Sequence, residues 1–261
     1  MCQEAGAVRR ALGVSVALVC AGAMAGCAAL GLEHPAVAPQ PTPTIAKSPS
    51  PQASPKAPGV LSEEQARAAL LTVADLGAPW TATRGAANWR DGVLKSTSTA
   101  PECARFLDAL YADELLGAPA RAAVGLDDAD TDAQLRFQVT AQRPVAEVDR
   151  ALAWLKTIPQ VCARFTATSP KKAVQDVMVT EVPLPEVGDV RQGLHVTLTS
   201  HNEDGEPATL TLDVAAVRAG DDAYTLTNGG MGDVANEATQ IGVQLGALRL
   251  ADVRRQGRVQ V

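Results

Sequence analysis

Three places in this sequence carry side chains whose types and spacing could do chemistry. His195 and Asp213 fall on two alternating runs joined by a turn, so a hairpin would set an imidazole beside a carboxylate, as in a base and its orienting group. A solvated cross-strand pair explains the same spacing, and no serine or cysteine is placed to be activated. Asp128, Asp130 and Asp132 copy the alternating oxygen ligands of a calcium loop. The copy stops there, because Ala133 stands where the loop needs Gly and Val139 where it needs the bidentate Glu, so a solvated acidic turn is expected and no metal. Asn228-Gly229-Gly230-Met231-Gly232 could offer backbone N–H groups to an anion ahead of a helix, or serve as a plain strand-to-helix turn. Only three histidines exist, at 34, 195 and 201. No G-x-S-x-G elbow, H-E-x-x-H helix or G-x-x-x-x-G-K loop is present. A non-enzymatic protein without a bound cofactor is therefore expected.

The five cysteines divide by position. Arg9 and Arg10 precede an apolar run that closes on Met24-Ala25-Gly26-Cys27. A basic start, an apolar centre and small residues ahead of a cleavage point make a secretory signal. The run is similar to the bacterial lipobox, with Met24 in place of the usual Leu. That likeness implies a thioether diacylglycerol and further acyl lipid (palmitate) on Cys27, with residues 1–26 removed. The chain would then sit on the extracytoplasmic face of the cell membrane. Ala23-Met24-Ala25 also fits ordinary signal peptidase, which would release a chain starting at Gly26, and the run from Ala11 to Leu32 could instead be kept as a span. Twin-arginine export lacks the Phe-Leu that usually follows Arg9-Arg10. Cys2 and Cys20 leave with the signal, so Cys103 and Cys162 remain to pair in an oxidising compartment. A disulfide across about 60 residues would stabilise the fold by about 4 kcal/mol. A redox or metal role for the pair lacks C-x-x-C spacing and nearby histidines.

The formal charge of −6 becomes −7 without residues 1–26. No basic stripe with interleaved aromatics exists, which excludes nucleic acid as the expected partner. From His34 to Gly59 the chain holds eight prolines and no apolar pattern. Residues 27–60 thus read as a tether, and about 25 extended residues reach roughly 80 Å. Its Ser and Thr residues could carry sugar.

The elements that must position these side chains begin at Ser62, an N-cap with Glu63 and Glu64 in the first turn of a helix reaching about Asp75. Pro101 opens a second helix whose Cys103, Phe106, Leu107 and Leu110 share one face. A third follows Pro144 through Val148, Leu152 and Leu155, with a break at Pro159 before Cys162 and Phe165. A last helix is expected from about Asp233 to Leu248. Between them, residues alternate around Phe137, a less regular strand follows around Val177 and Val179, and clean alternation runs through Leu194-Val196-Leu198, through Leu210-Leu212-Val214, and at Tyr224 and Leu226. Glu203-Asp204-Gly205 and Ala219-Gly220-Asp221 supply turns. The expectation is α+β: one domain over residues 61–253, an antiparallel sheet with one core face and one polar face, and a tail at 254–261.

Ala69-Leu70-Leu71-Thr72-Val73-Ala74-Asp75-Leu76-Gly77, Cys103 in a short helix, Cys162 closing a longer one, and Val217-Arg218-Ala219-Gly220-Asp221-Asp222-Ala223-Tyr224 form a pattern. It resembles the exported sensor-type domain of PknH-like actinobacterial serine/threonine kinases, which also occurs in stand-alone lipoproteins. The resemblance implies a sheet flanked by helices and a cleft for an extracellular ligand, commonly with two disulfides where this chain offers one pair. The expected function is a membrane-anchored, sensor-like domain that binds a small molecule or an envelope protein. Its contact surface would be a polar sheet face carrying His195, Thr197, Thr211, Asp213 and Thr225. A carrier shielding a lipid in an apolar cavity is the alternative, and an envelope hydrolase the third.

Overall fold

The computed structural model describes residues 61–140, 144–201 and 205–259. The signal, Cys27 and the tether lie outside them. The described chain is α+β, an eight-stranded sheet with helices against it. In chain order the elements are α1 (Glu63–Ala68), α2 (Val73–Leu76), β1 (Trp80–Ala82), a π-helical turn (Arg90–Leu94), α3 (Pro101–Tyr111), β2 (Ala120–Asp128) and β3 (Gln134–Thr140). There follow α4 (Val145–Val161), β4 (Arg164–Thr168), β5 (Val174–Glu181), β6 (Val190–His201), β7 (Pro207–Ala219), β8 (Asp222–Met231) and α5 (Asn236–Val259). The strands lie in the order β1-β2-β3-β8-β7-β6-β5-β4, every neighbouring pair antiparallel.

The expectation of one core face and one polar face is corrected. Leu194, Val196, Leu198, Leu210, Leu212 and Val214 pack with α3 and α4 on one face. Ala215 and Val217 of β7, with Tyr224, Leu226, Leu135 and Phe137, pack with α1 and α5 on the other. A strand buried on both faces needs no strict alternation, and β7 is buried from Leu210 to Val217. The two helical layers are offset. On one face α4 contacts β5, β6 and β7, whereas on the other α5 contacts β7 and β8. The α5 face of β4 and β5 is therefore open to solvent, with Thr166, Thr168, Val174, Asp176, Met178 and Thr180 exposed.

Four local expectations also change. The first helix is two short ones. Ser62 and Gln65 form a capping box at α1, and Thr72 and Asp75 form a second box that restarts the chain as α2. The competing side-chain bonds of Thr72 and Asp75 offer the backbone a new helix start in place of a continuous turn. Pro159 lies inside α4 without breaking it; it falls in the last turn, before the Cys162 C-cap. The Gly229-Gly230 stretch is strand, not turn. A Cβ at Gly229 would stand 2.2 Å from Leu212 Cδ2, and one at Gly230 would stand 3.0 Å from Ala133 Cα, so close packing requires both glycines. Finally, α5 runs through Val259 rather than stopping at Leu248, so residues 254–259 are helical and not a tail. Leu250 and Val253 are buried, and Arg254 pairs with Asp222.

Two carboxylates tie this frame to pH. Burial pushes the Asp75 carboxyl up, but hydrogen bonds from Arg249 and from Thr72 outweigh it and hold the group below its ordinary 3.8. Asp127 is lowered in the same way, with burial opposed by Gln134, Thr83 and the Arg84 N–H. A carboxyl lowered by folding contributes stability above its unfolded pKa and loses it as pH falls through the folded value. Urea midpoints measured across pH 2–5 should therefore fall steeply below about pH 4 in the natural protein and less steeply in Asp75→Asn. Parallel curves would sink the assignment.

Candidate functional site

The β6–β7 register places His195 directly across from Asp213. Nδ1 of His195 donates to Asp213 Oδ1 at 2.7 Å. A carboxylate only accepts, so the hydrogen sits on Nδ1 and, on the neutral ring, Nε2 presents a lone pair. The pair is not the solvated one the spacing suggests, because the Asp213 side chain is 3% exposed while that of His195 is 39% exposed. The first turn of α5 seals the carboxylate. Asn236 Nδ2 donates to Asp213 Oδ2 at 2.7 Å, and Thr239 Oγ1 donates to the same oxygen at 3.5 Å. Thr239 in turn accepts from Asn228 Nδ2, which also donates to the Ala235 carbonyl. The positive end of a long helix favours a carboxylate at this position.

A wall forms on the other side of His195. Residues 182–184 cross over β6, made possible by Gly193, where a Cβ would stand 2.4 Å from the Val182 carbonyl oxygen. Gln240 of α5 bridges the wall to the helix by donating to the Pro183 carbonyl and to Asn236 Oδ1. The imidazole edge thus looks out of a notch between α5 and residues 182–184. Beyond it runs the open sheet, where Thr180 pairs with His195, Thr197 with Thr211, and Thr199 with Thr209.

Of the five residues expected on one surface, His195, Thr197, Thr211 and Asp213 share a face, and Thr225 does not. Thr225 pairs with Ala216, on the α4 side, where its hydroxyl donates to Gln138 Oε1 at 3.4 Å. The reason is parity: Val217 pairs with Tyr224 and Ala215 with Leu226, so the apolar residues of β8 point the same way as Asp213.

The remaining candidates have structural work. Cys103 and Cys162 are bonded to each other. Asp128 accepts from the Asp130 N–H and Asp132 from the Met231 N–H, and among the described residues no three His, Cys, Asp or Glu side chains gather as metal ligands. Asn228 ties down the start of α5 by donating from Nδ2 to the Ala235 carbonyl and to Thr239 Oγ1, and Gly229 and Gly230 lie in the strand rather than in an anion loop. The sequence reading missed a pocket of about 600 Å³ between residues 84–93 and the β2–β3 turn, lined by Arg84, Trp89, Asp127, Asp132, Gln134 and Met231. Only Trp89 in a glycine- and alanine-rich loop could have pointed to it. No helix among the described residues is long and apolar enough to cross a membrane.

No protein-family model matches the chain, and no curated protein matches it. Among solved structures, the extracellular domain of PknH from Mycobacterium tuberculosis is similar to it, with a TM-score of 0.42 and 17% sequence identity over 76% of this chain and 99% of that domain.

Proposed function

We propose that this chain is a non-enzymatic binding protein of the extracytoplasmic face, anchored through lipid on Cys27, whose ligand contacts the His195 notch. The observation that carries the site is a half-open imidazole whose other nitrogen is held by a buried carboxylate. The hydrogen bonds from His195, Asn236 and Thr239 offset the cost of burying the Asp213 carboxylate, and together they hold the ring in one orientation with its other nitrogen outward. The reading as a binder, rather than a hydrolase, follows from a sequence without a nucleophile motif. The exported address is supported by the lipobox-like Met24-Ala25-Gly26-Cys27 and by the bonded Cys103 and Cys162, since such bonds persist in oxidising compartments.

Two measurements test this. In a bacterial host, the natural chain should carry the added lipid mass and sediment with membranes, and Cys27→Ser should lose both. A natural chain of unlipidated mass starting at Gly26 would overturn the anchor. Native mass spectrometry of the full chain, extracted from its membrane, should show a bound mass that His195→Ala releases. The 600 Å³ pocket, within the usual size for small-molecule sites, supports a second reading. A mass kept by His195→Ala but lost in Ala86→Trp would move the site there.

A further inference from the structure

We infer that the His195 notch takes a neutral, hydroxyl-rich ligand, a saccharide, whose hydroxyl donates to Nε2 of His195. The inference rests on the notch being the ligand contact and adds the class of ligand. Hydrogen-bond polarity is the first argument. Asp213 keeps the hydrogen on Nδ1, so when the ring is neutral its outward nitrogen accepts and the partner donates. Charge is the second. Asp213 is satisfied by His195, Asn236 and Thr239, and among the described residues no Arg or Lys bonds it. An anionic ligand would therefore meet a buried negative charge with no cation bonded to it. Nearby, Asn228 Oδ1 is a buried acceptor without a partner, which deepens the same polarity. A cationic ligand finds no better welcome, because both carboxylate oxygens of Asp213 are already taken and lie buried.

The surroundings suit the same class. Thr180 pairs with His195 and Thr197 follows it on the same face, and Thr199 and Thr209 continue the row with their hydroxyls 3.0 Å apart, whereas Thr211 is buried. Each hydroxyl both donates and accepts, as a sugar hydroxyl does, so either orientation of the ligand can be met. Exposed Met178, one register row from His195, accepts from Arg164 at its sulfur, at 3.3 Å, and leaves its methyl and methylene groups for the C–H face of a sugar ring. Strands about 4.8 Å apart spread these groups over a flat area longer than one sugar, so an oligosaccharide should bind better than its monomer.

The test uses the full chain in detergent micelles with labelled maltotetraose, mannotetraose and chitotetraose, and tetragalacturonate as the anionic counterpart. At least one neutral tetramer should bind at neutral pH and tetragalacturonate should not. Asp213→Asn keeps the shape but can donate to Nδ1, which moves the ring hydrogen to Nε2 and reverses its polarity. Affinity for the neutral tetramer should fall at least tenfold in Asp213→Asn with the melting temperature nearly unchanged. Should that variant unfold, His195→Gln at the half-open position serves instead, with the same expected loss. Unchanged affinity in the folded variant, or binding of tetragalacturonate in preference to every neutral tetramer, would overturn the saccharide class. If no tetramer binds while the native mass is still released by His195→Ala, the saccharide fails and the notch stands. Neutral binding that His195→Ala leaves intact removes the notch itself. Cosedimentation with purified insoluble envelope polysaccharide separates a wall polymer from a free oligosaccharide as the source.

Discussion

Replacing Cys103 and Cys162 together by alanine is expected to destabilise the domain by about 4 kcal/mol on the chain-entropy relation. The bond joins residues 59 apart, tying α3 to the end of α4. Without it the unfolded chain regains the freedom of a long loop. Both cysteines are buried, 2% and 0% exposed, in the cluster that holds Phe106, Leu155 and Ile158. Alanine avoids burying a hydroxyl there but leaves small voids, which add to the loss. For a domain of this size, the melting temperature should drop by about 8–16 °C. Guanidinium unfolding of the variant beside the oxidised natural chain measures it. A loss below about 1 kcal/mol would mean that packing between α3 and α4 already restricts the unfolded chain. The same variant also tests how β5, β6 and β7 are covered, since α4 lies over them.

That disulfide was legible because two separate readings converged on it: a signal-like N-terminus that implies export and leaves two cysteines, and the place of each of those two on an apolar helical face. The His195–Asp213 pairing was legible for a similar reason, since alternation on both sides of one turn sets the register. What alternation cannot report is which layer covers a face. Thr197 and Thr211 look solvent-facing in sequence, yet Thr211 and Asp213 are buried at the edge of α5. Tyr224 and Leu226 look as though they should join Leu212 and Val214, yet the Ala219–Asp222 pairing turns them to the opposite core. Apolar residues on both faces of one strand remove the parity signal, and Thr225 was misplaced with it. Buried Leu250 and Val253 carry the apolar face of α5 past Leu248, but Arg249, Arg254 and Arg255 around them conceal that the helix continues. The pocket was invisible because the irregular segment on one side of it, residues 84–93, has no period to read.

The offset between the two helical layers explains why the open half of the sheet and the His195 notch adjoin. If α5 lay one strand further over, it would cover His195; one strand the other way, it would leave Asp213 in water. Its seat is set by Phe137, Tyr224 and Leu226 below and by Gly242 and Gly246 above. A Cβ at Gly242 would stand 2.5 Å from Leu226 Cδ1, and one at Gly246 would stand 2.6 Å from Phe137 Cε2. The Tyr224 hydroxyl fixes the height by donating to the Val243 carbonyl at 2.6 Å, and burial pushes that phenol well above its ordinary pKa, so it stays a donor.

Gly246→Val is accordingly expected to cost about 3 kcal/mol. The added carbons meet two fully buried rings, Phe137 and Tyr224, whose centroids are 5.3 Å apart, so neither can turn aside without displacing the other. Relief requires α5 to rise, and a rigid helix carries that movement to Thr239 and Asn236, about 10 Å and about 15 Å along its axis. Those two side chains hold Asp213, so the variant should also loosen the His195 ring, seen as lost inequivalence of its NMR signals from the free imidazole. Gly257→Ala supplies the contrast on the same helix. Its nearest obstacle is Gln65 Nε2, at 2.9 Å, the free end of an amide whose oxygen is held in the α1 capping box, so the nitrogen can swing aside and most of the helix-propensity gain of up to about 1 kcal/mol should survive. Opposite signs at the two glycines would show that the seat, not the flexibility of glycine, sets where α5 stops against the sheet. Destabilisation at both would mean that α5 tolerates no side chain along this edge, and stabilisation at both would mean that it is free to shift. In either of those cases the position of the notch would have to be set by residues 182–184 and the β6–β7 register instead.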